Sequence, residues 1–352
     1  MDLTENYYQK LSFFYSFLFS HPACTSGHFS SHSNAEAAFT ALGVVTVASL
    51  AISFVRLIIQ IFLWPGTSLE KFGAKQGAWA IITGCTDGIG RAFAFQLAEA
   101  GFNVVLLSRT QAKLMDLAAE IESQYKIETR TCAIDFALKN NGAGYAAVES
   151  TMSGISIGIL VNNVGATNLI PTNFDEIPVE VIDAQLEVNI HATVRMTRMV
   201  LSGMMKRRNG LILNIGSLAG VTAVPMIATY SATKAFISTW SQCLAEEYRA
   251  FGITVQNVPA AFVVTKTSGM ERPSIGVPMP KEFVRSVLAK IDVPCGSISV
   301  TANSNPYWSH ALMEWAFTKF AIPSLTIRIT HNTAKTKWKG LKDASEETLK
   351  NK

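Results

Sequence analysis

Thr83-Gly84-Cys85-Thr86-Asp87-Gly88-Ile89-Gly90 follows the short apolar run 78–82 and opens an amphipathic stretch. Glycines between a strand and a helix permit a tight turn. They also let backbone N–H groups approach a pyrophosphate at a helix N-terminus. A glycine triplet alone is weak evidence, and its place between strand and helix makes it specific. Gly84, Thr86, Asp87, Gly88, Ile89 and Gly90 are therefore candidate contacts for a dinucleotide.

The same alternation continues outward. Residues 78–83, 103–108, 129–135, 157–162, 211–215 and 254–258 are apolar runs of strand length, and the stretches 91–100, 111–125, 181–205 and 229–250 have helical character. Strands alternating with helices predict an α/β fold, a Rossmann-type doubly wound parallel sheet forming a single catalytic domain. After residue 265 the alternation stops. Residues 266–280 hold three prolines and two glycines, as an irregular loop would, 281–291 is an expected helix, and 307–327 is apolar and aromatic with Pro323 inside it.

The second expected strand ends at Ser108-Arg109. A site selective for NAD places an acid here to hold the ribose 2′-hydroxyl. Arg109 stands there instead, and a guanidinium suits a 2′-phosphate, which favours NADP(H).

Ser217 follows the apolar strand 211–215, Tyr230 comes thirteen residues later, and Lys234 four after that. On a helix Tyr230 and Lys234 share a face. A free phenol, with a pKa of about 10, gives up its proton poorly near neutrality. A nearby ammonium is expected to lower that value. Lys234 is also placed to bind a ribose, and Ser217 to hold a carbonyl in line for attack. Together with the glycine loop, this pattern is specific for carbonyl reduction or alcohol oxidation.

These motifs resemble those of the short-chain dehydrogenase/reductase family: the TGxxxGxG loop at 83–90, Asn162-Asn163-Val164-Gly165, and the set Ser217, Tyr230 and Lys234, with Asn189 in the fourth catalytic position. The resemblance covers roughly 78–265. It implies that Asn189 supports a proton-relay water leading to Lys234, that Asp135 contacts adenine, and that Asn162 steadies the central strand beside the cofactor. It further implies that Gly165, Tyr230, Lys234, Val263 and Thr265 also border the cofactor. The stretches 127–131, 134–137, 159–165, 241–248 and 306–312 resemble a subgroup, the microsomal very-long-chain 3-oxoacyl-CoA reductases, relatives of the 17β-hydroxysteroid dehydrogenases. That likeness implies an acyl-CoA substrate, residence in the endoplasmic reticulum, and other fatty-acid elongation enzymes as partners. A hydroxysteroid or retinol dehydrogenase shares the same motifs and stays open as an alternative. A non-catalytic scaffold does not fit four intact catalytic positions. Two departures stand out: the family's Pro-Gly after the sixth strand is Ala260-Ala261 here, with Pro259 one place earlier, and the C-terminus Leu349-Lys350-Asn351-Lys352 lacks a dilysine signal.

Hydrophobic residues make up 49% of the 352 and charged residues 16%. That is below the quarter usual for soluble domains, and it fits a globular core with membrane-embedded length attached. The net charge of +4 and the absence of aromatics interleaved with basic residues argue against nucleic acid. The expected organisation is a polar tail at 1–38, a transmembrane anchor at 39–64, a nucleotide-binding domain at 72–300 and an apolar, then charged, segment at 301–352 that is a candidate for membrane contact. A span needs about 20 apolar residues. The run 39–64 supplies them provided that Arg56 snorkels or pairs. Lys10 precedes the run, whereas Arg56, Lys71 and Lys75 stand near or beyond its end, so the positive-inside rule places the catalytic domain in the cytosol. Five scattered cysteines without a CxxC pair, and six histidines without metal-ligand spacing, fit reduced thiols and no metal site. The run Lys206-Arg207-Arg208 reads as a solvated helix end. Val263-Val264, Met270, Met279 and 307–320 are candidate linings of an acyl channel.

Overall fold

The computed structural model describes residues 28–168, 170–296 and 302–350, so most of the expected polar tail lies outside the described residues. It divides into two compact units, Met1–Phe54 and Val55–Lys352. In the second unit, β1 (Trp79–Thr83), β2 (Asn103–Ser108), β3 (Thr129–Ala133), β4 (Ile157–Asn162), β5 (Gly210–Ile215) and β6 (Ile253–Val258) form one parallel sheet in the order β3-β2-β1-β4-β5-β6. Helices α2 (Gly88–Glu99), α3 (Gln111–Gln124), α4 (Gly142–Thr151), α5 (Val179–Leu186), α6 (Ala192–Arg207) and α7 (Ala228–Arg249) connect the strands.

The strands are apolar along their whole length because both sheet faces are covered. Successive residues of β1 point to opposite faces. Ala80 and Ile82 pack with Phe93, Leu97, Leu114 and Phe283, whereas Trp79 and Ile81 pack with Val188, Met196 and Met204. Each buried Val, Leu, Ile, Phe or Met side chain among these contributes roughly 1.5–3 kcal/mol. Reversal of strand order between β1 and β4 leaves a crevice at the strands' carboxyl ends, where ligands bind in open α/β sheets.

The expected helix over 181–205 is interrupted. A π-helical turn, Glu187–His191, joins α5 to α6 and carries Asn189. The expected apolar segment over 307–327 is two helices, α9 (Trp308–Phe320) and α10 (Pro323–Lys350). Pro323 starts the second, since its missing N–H costs nothing in a first helical turn. Between β6 and α9 lies α8 (Pro280–Ala289).

The apolar run forms α1 (His28–Ile58), extended by a π-helical turn at Ile59–Leu63, so the helix begins well before the expected residue 39. Within it Asn34–Leu63 has a mean hydropathy of 2.3, long and apolar enough to cross a membrane. The last two turns of this helix belong to the second unit. Leu57 and Ile61 pack on Ala311 and Trp315 of α9. Gln60 is buried, and its carboxamide accepts from Arg56 Nε and donates to the Pro294 carbonyl, both at 3.3 Å. Cys295 Sγ donates to the Gln60 carbonyl at 3.6 Å and Lys290 Nζ to the Trp64 carbonyl at 2.6 Å. Arg56 and Gln60 are thus partnered where the chain enters the globular unit. The 22 or so residues from 34 to 55 are about 33 Å of helix, enough for a hydrocarbon core of about 30 Å.

Candidate active site

The glycine loop is built as its composition requires. Gly84 has a φ of +65° and donates its N–H to the Leu107 carbonyl at 2.7 Å. A Cβ on Gly90 would stand 2.2 Å from the Gly84 carbonyl oxygen, so only glycine lets α2 approach its own loop. Asp87 caps α2, accepting from the Gly88 N–H at 2.8 Å, and its carboxylate pairs with Lys266 Nζ at 2.8 Å, which holds its pKa below the usual range. Thr86 Oγ1 bonds Ser108 Oγ at 3.0 Å across the ends of β1 and β2. Beside that pair Arg109 is exposed, and its guanidinium has no ion-pair partner among the described residues.

Two residues that the motifs contain, but to which the sequence reading gave no role of their own, support this loop. Asn163 donates from Nδ2 to the Thr83 and Gly84 carbonyls at 2.9 and 3.1 Å. Thr83 Oγ1 accepts from the Asn163 and Val164 N–H groups at 2.9 and 3.0 Å. Together they staple β4 to β1 at the crevice. Asn162, expected to steady the central strand beside the cofactor, turns to the opposite side of β4 from Asn163. It is buried and donates to Thr197 Oγ1 at 3.0 Å and Asn214 Oδ1 at 2.8 Å, a polar ladder that Asn214 extends to Ser241 at 2.9 Å. Its neighbour holds the loop because one step along a strand reverses the side chain. Asp135 lies half-buried beyond β3, with Oδ1 bonded to the Ala137 N–H at 3.0 Å. The Val263 side chain is in the core, and its carbonyl accepts from Ser268 Oγ at 2.6 Å. Thr265 sits over the glycine loop, where a Cβ on Gly88 would meet its methyl at 3.0 Å.

Ser217, Tyr230, Lys234 and Asn189 converge beside this loop. Ser217 caps the 3₁₀ turn Leu218–Gly220, accepting from the Ala219 N–H at 3.1 Å, and its hydroxyl lies close enough to the Tyr230 phenol to act on its pKa. Gly216 precedes it because a Cβ there would stand 2.4 Å from the buried Asn257 Oδ1. Lys234 Nζ, buried, donates to the Ile215 carbonyl at 2.8 Å and lies 5.7 Å from the Tyr230 ring centroid. Asn189 exchanges two bonds with the backbone of Ala166, Nδ2 to O at 2.9 Å and N to Oδ1 at 2.8 Å, and a third joins Nδ2 to Thr233 Oγ1 at 3.0 Å. A Cβ on Gly165 would sit 3.6 Å from Asn189 Oδ1 and 3.7 Å from Lys234 Nζ, which puts these groups around one small space. Both Asn189 Nδ2 protons are thus engaged, and its backbone carbonyl accepts from Thr193 Oγ1 at 3.1 Å.

The electrostatics differ from the expected lowering of the tyrosine. Burial raises the Tyr230 pKa above its ordinary value, offset in part by the Ser217 hydroxyl, and pushes Lys234 down to about 8. Desolvation disfavours each charged form and here outweighs their mutual attraction. At neutral pH Tyr230 is therefore a neutral phenol, able to donate its proton.

Other expected residues have structural partners. Arg207 and Arg208 donate to the Ile157 and Ala250 carbonyls, each at 2.7 Å. On α9, Ala311 and Trp315 meet the foot of α1, and His310 and Glu314 are buried, so that face is core. Met279 borders a cleft of about 540 Å³ with Arg91, Phe95 and Lys281, which meets the glycine loop through Asp87 and Gly88 but includes none of Ser217, Tyr230 or Lys234.

Comparison with known proteins agrees with this geometry. Residues 78–275 match the model of the short chain dehydrogenase family. A very-long-chain 3-oxoacyl-CoA reductase of Coprinopsis cinerea is 48% identical over 83% of this chain and 86% of its own length. The reductase of the same description from Laccaria bicolor is 45% identical over 84% and 87%. Among solved structures, a 7β-hydroxysteroid dehydrogenase aligns with a TM-score of 0.64 at 22% identity, covering 74% of this chain and 98% of that one, a likeness of fold. A short-chain dehydrogenase of Sphingobium yanoikuyae, solved with NADPH, aligns with a TM-score of 0.55 at 30% identity over 60% and 83%.

Proposed function

The chain belongs to the short chain dehydrogenase family, and from that premise we propose that it reduces very-long-chain 3-oxoacyl-CoA to 3-hydroxyacyl-CoA with NADPH, anchored in the endoplasmic reticulum membrane with its catalytic domain in the cytosol. The observation that carries this reading is the 48% identity to a reductase of that description over most of both chains. Arg109, exposed beside the Thr86–Ser108 pair, favours the 2′-phosphate of NADPH. The glycine loop, free of Cβ atoms at Gly84, Gly88 and Gly90, leaves room for a pyrophosphate at the N-terminus of α2. The apolar α1 and the basic residues Arg56, Lys71 and Lys75 after its main stretch support the anchor and its orientation.

Bound NADPH supplies the hydride to C3 of the substrate. Ser217 hydrogen bonds the 3-carbonyl oxygen and fixes its direction. Tyr230, beside Ser217 and kept neutral by burial, gives its proton to that oxygen as negative charge develops there. Lys234, four residues on and on the same helix face, stabilises the phenolate left behind. Asn189 keeps the 165–166 backbone and Thr233 in place around the Lys234 ammonium. The test is NADPH consumption by the purified full-length protein with 3-oxostearoyl-CoA and, separately, oestrone. Turnover of the acyl-CoA alone is expected. Turnover of oestrone alone would replace this reading with a hydroxysteroid one.

A further inference from the structure

Residues 315–342 contain six Lys/Arg and no Asp or Glu, although the whole chain balances 30 basic residues against 26 acidic ones. This one-sided stretch comprises the end of α9 and most of α10. On α10, Arg328, His331, Lys335 and Lys339 are spaced i, i+3, i+7 and i+11, so they share one stripe of the helix, and all four are exposed. Beside the stripe, Leu325 is 49% and Ile329 55% exposed, and at the α9–α10 corner Phe320 and Ile322 are about as open. A helix with exposed apolar residues alongside a basic stripe suits the boundary between headgroups and acyl chains.

A second, independent observation sets where that corner lies. Leu57 and Ile61, the foot of the apolar helix, pack on Ala311 and Trp315 of α9. α9 therefore leads from the point where the apolar run meets the globular unit directly into α10. The exposed apolar corner at 320–322 follows within two turns of Trp315.

We propose that residues 320–339 form a second membrane contact, an interfacial helix whose apolar residues enter the headgroup boundary and whose Arg328, His331, Lys335 and Lys339 stripe meets anionic phospholipid. The contact rests on the reading of α1 as a membrane anchor, which it deepens. A second contact restricts the tilt of the catalytic domain against the bilayer more than one anchor alone does. The bilayer fits this surface better than an acidic protein does, because the open residues beside the charges are large, aliphatic and aromatic. Surface attraction of this kind weakens beyond a Debye length and in salt.

The test uses the full chain in vesicles, with Cys24 and Cys243 replaced by serine and an environment-sensitive dye on Ile329→Cys. With 30 mol% phosphatidylserine the dye emission is expected to shift to the blue, as for a probe leaving water. The shift is expected to shrink at least twofold in pure phosphatidylcholine, in 0.5 M salt, and in the Arg328→Glu/Lys335→Glu/Lys339→Glu variant. Emission as in water under every lipid condition overturns the contact. A shift indifferent to lipid charge and salt overturns the recognition of anionic lipid. A shift that grows with protein density at fixed lipid composition assigns the surface to a second copy of the chain and overturns it too. Carbonate extraction of the same vesicles separates the outcomes: release of the whole protein shows that the anchor itself has failed, independently of the dye.

Discussion

The Asn305 side chain donates to the Pro259 carbonyl at 2.8 Å, and five residues further on His310 Nδ1 accepts from the Ala261 N–H at 3.4 Å. These bonds bracket Ala260, where the family pattern has a stiffening Pro-Gly. The wall after β6 is thus held by side chains of the C-terminal segment rather than by a proline ring. His310 Nε2 also contacts the Gly276 carbonyl at 3.2 Å, tying the 266–279 loop to the same point, with Phe283 and Tyr307 packed around the ring. Burial pushes the His310 pKa down to about 4, so the imidazole is neutral at working pH.

Asn305→Ala removes the partner of a buried carbonyl. Leaving such a group unsatisfied costs about 1–3 kcal/mol. The variant is expected to melt several degrees lower and to show a raised KM for NADPH with a smaller change in kcat. Equal loss of kcat and no change in KM would place the effect away from the cofactor wall.

Glu314, almost fully buried, gives a pH-dependent stability. Burial raises its pKa to about 7 from 4.5, partly opposed by the Asn305 bond at 3.2 Å. The folded state binds this proton more tightly than the unfolded one. The cost of ionising Glu314 in place therefore appears as pH rises above about 4.5 and is complete above about 7, and the pKa difference corresponds to roughly 3 kcal/mol. Glu314→Gln is expected to raise the melting temperature at pH 7.5 and to lose that advantage towards pH 5. Calorimetry or a dye-based melt at the two pH values decides. An advantage of the same size at both would trace it to packing.

How much of this was legible in the sequence follows from the kind of order involved. β2 and β4 have the expected bounds, since buried parallel strands read as unbroken apolar runs. α4 was missed because Gly142-Ala143-Gly144-Tyr145-Ala146-Ala147 has no periodic apolar face, and Val148 is its one buried residue. Ser217, Tyr230 and Lys234 were legible from their spacing taken together with the glycine loop, and Asn189 only through the family resemblance. Which of Asn162 and Asn163 faces the loop depends on where β4 ends, a matter of strand register. The Gln60 bond to Pro294 and the Asn305 bond to Pro259 join distant positions, and no local pattern records them.

Arg109→Asp exchanges the partner of a 2′-phosphate for a carboxylate suited to a 2′-hydroxyl. A charge-assisted bond contributes about 1.5–3 kcal/mol, so the ratio of kcat/KM for NADPH over NADH is expected to fall roughly 10- to 100-fold. An unchanged ratio would remove Arg109 from cofactor selection.

Tyr230→Phe deletes the proton donor and little else. The residue is half-buried, and what the change takes away is the hydroxyl beside Ser217. Loss of a general acid typically slows a reaction 10²–10⁴-fold, and reduction of 3-oxoacyl-CoA is expected to fall within that range while NADPH affinity, read by fluorescence titration, stays within about twofold. The wild-type pH profile tests the same assignment from the other side. Because burial raises the tyrosine pKa and lowers that of Lys234 to about 8, the phenol remains protonated through neutrality, and the ammonium beside it is lost first as pH rises. Reduction is therefore expected to decline above about pH 8 with the titration of Lys234, not near pH 10 with that of a free phenol. A Tyr230→Phe enzyme that retained a tenth of wild-type turnover would take the proton transfer away from this residue.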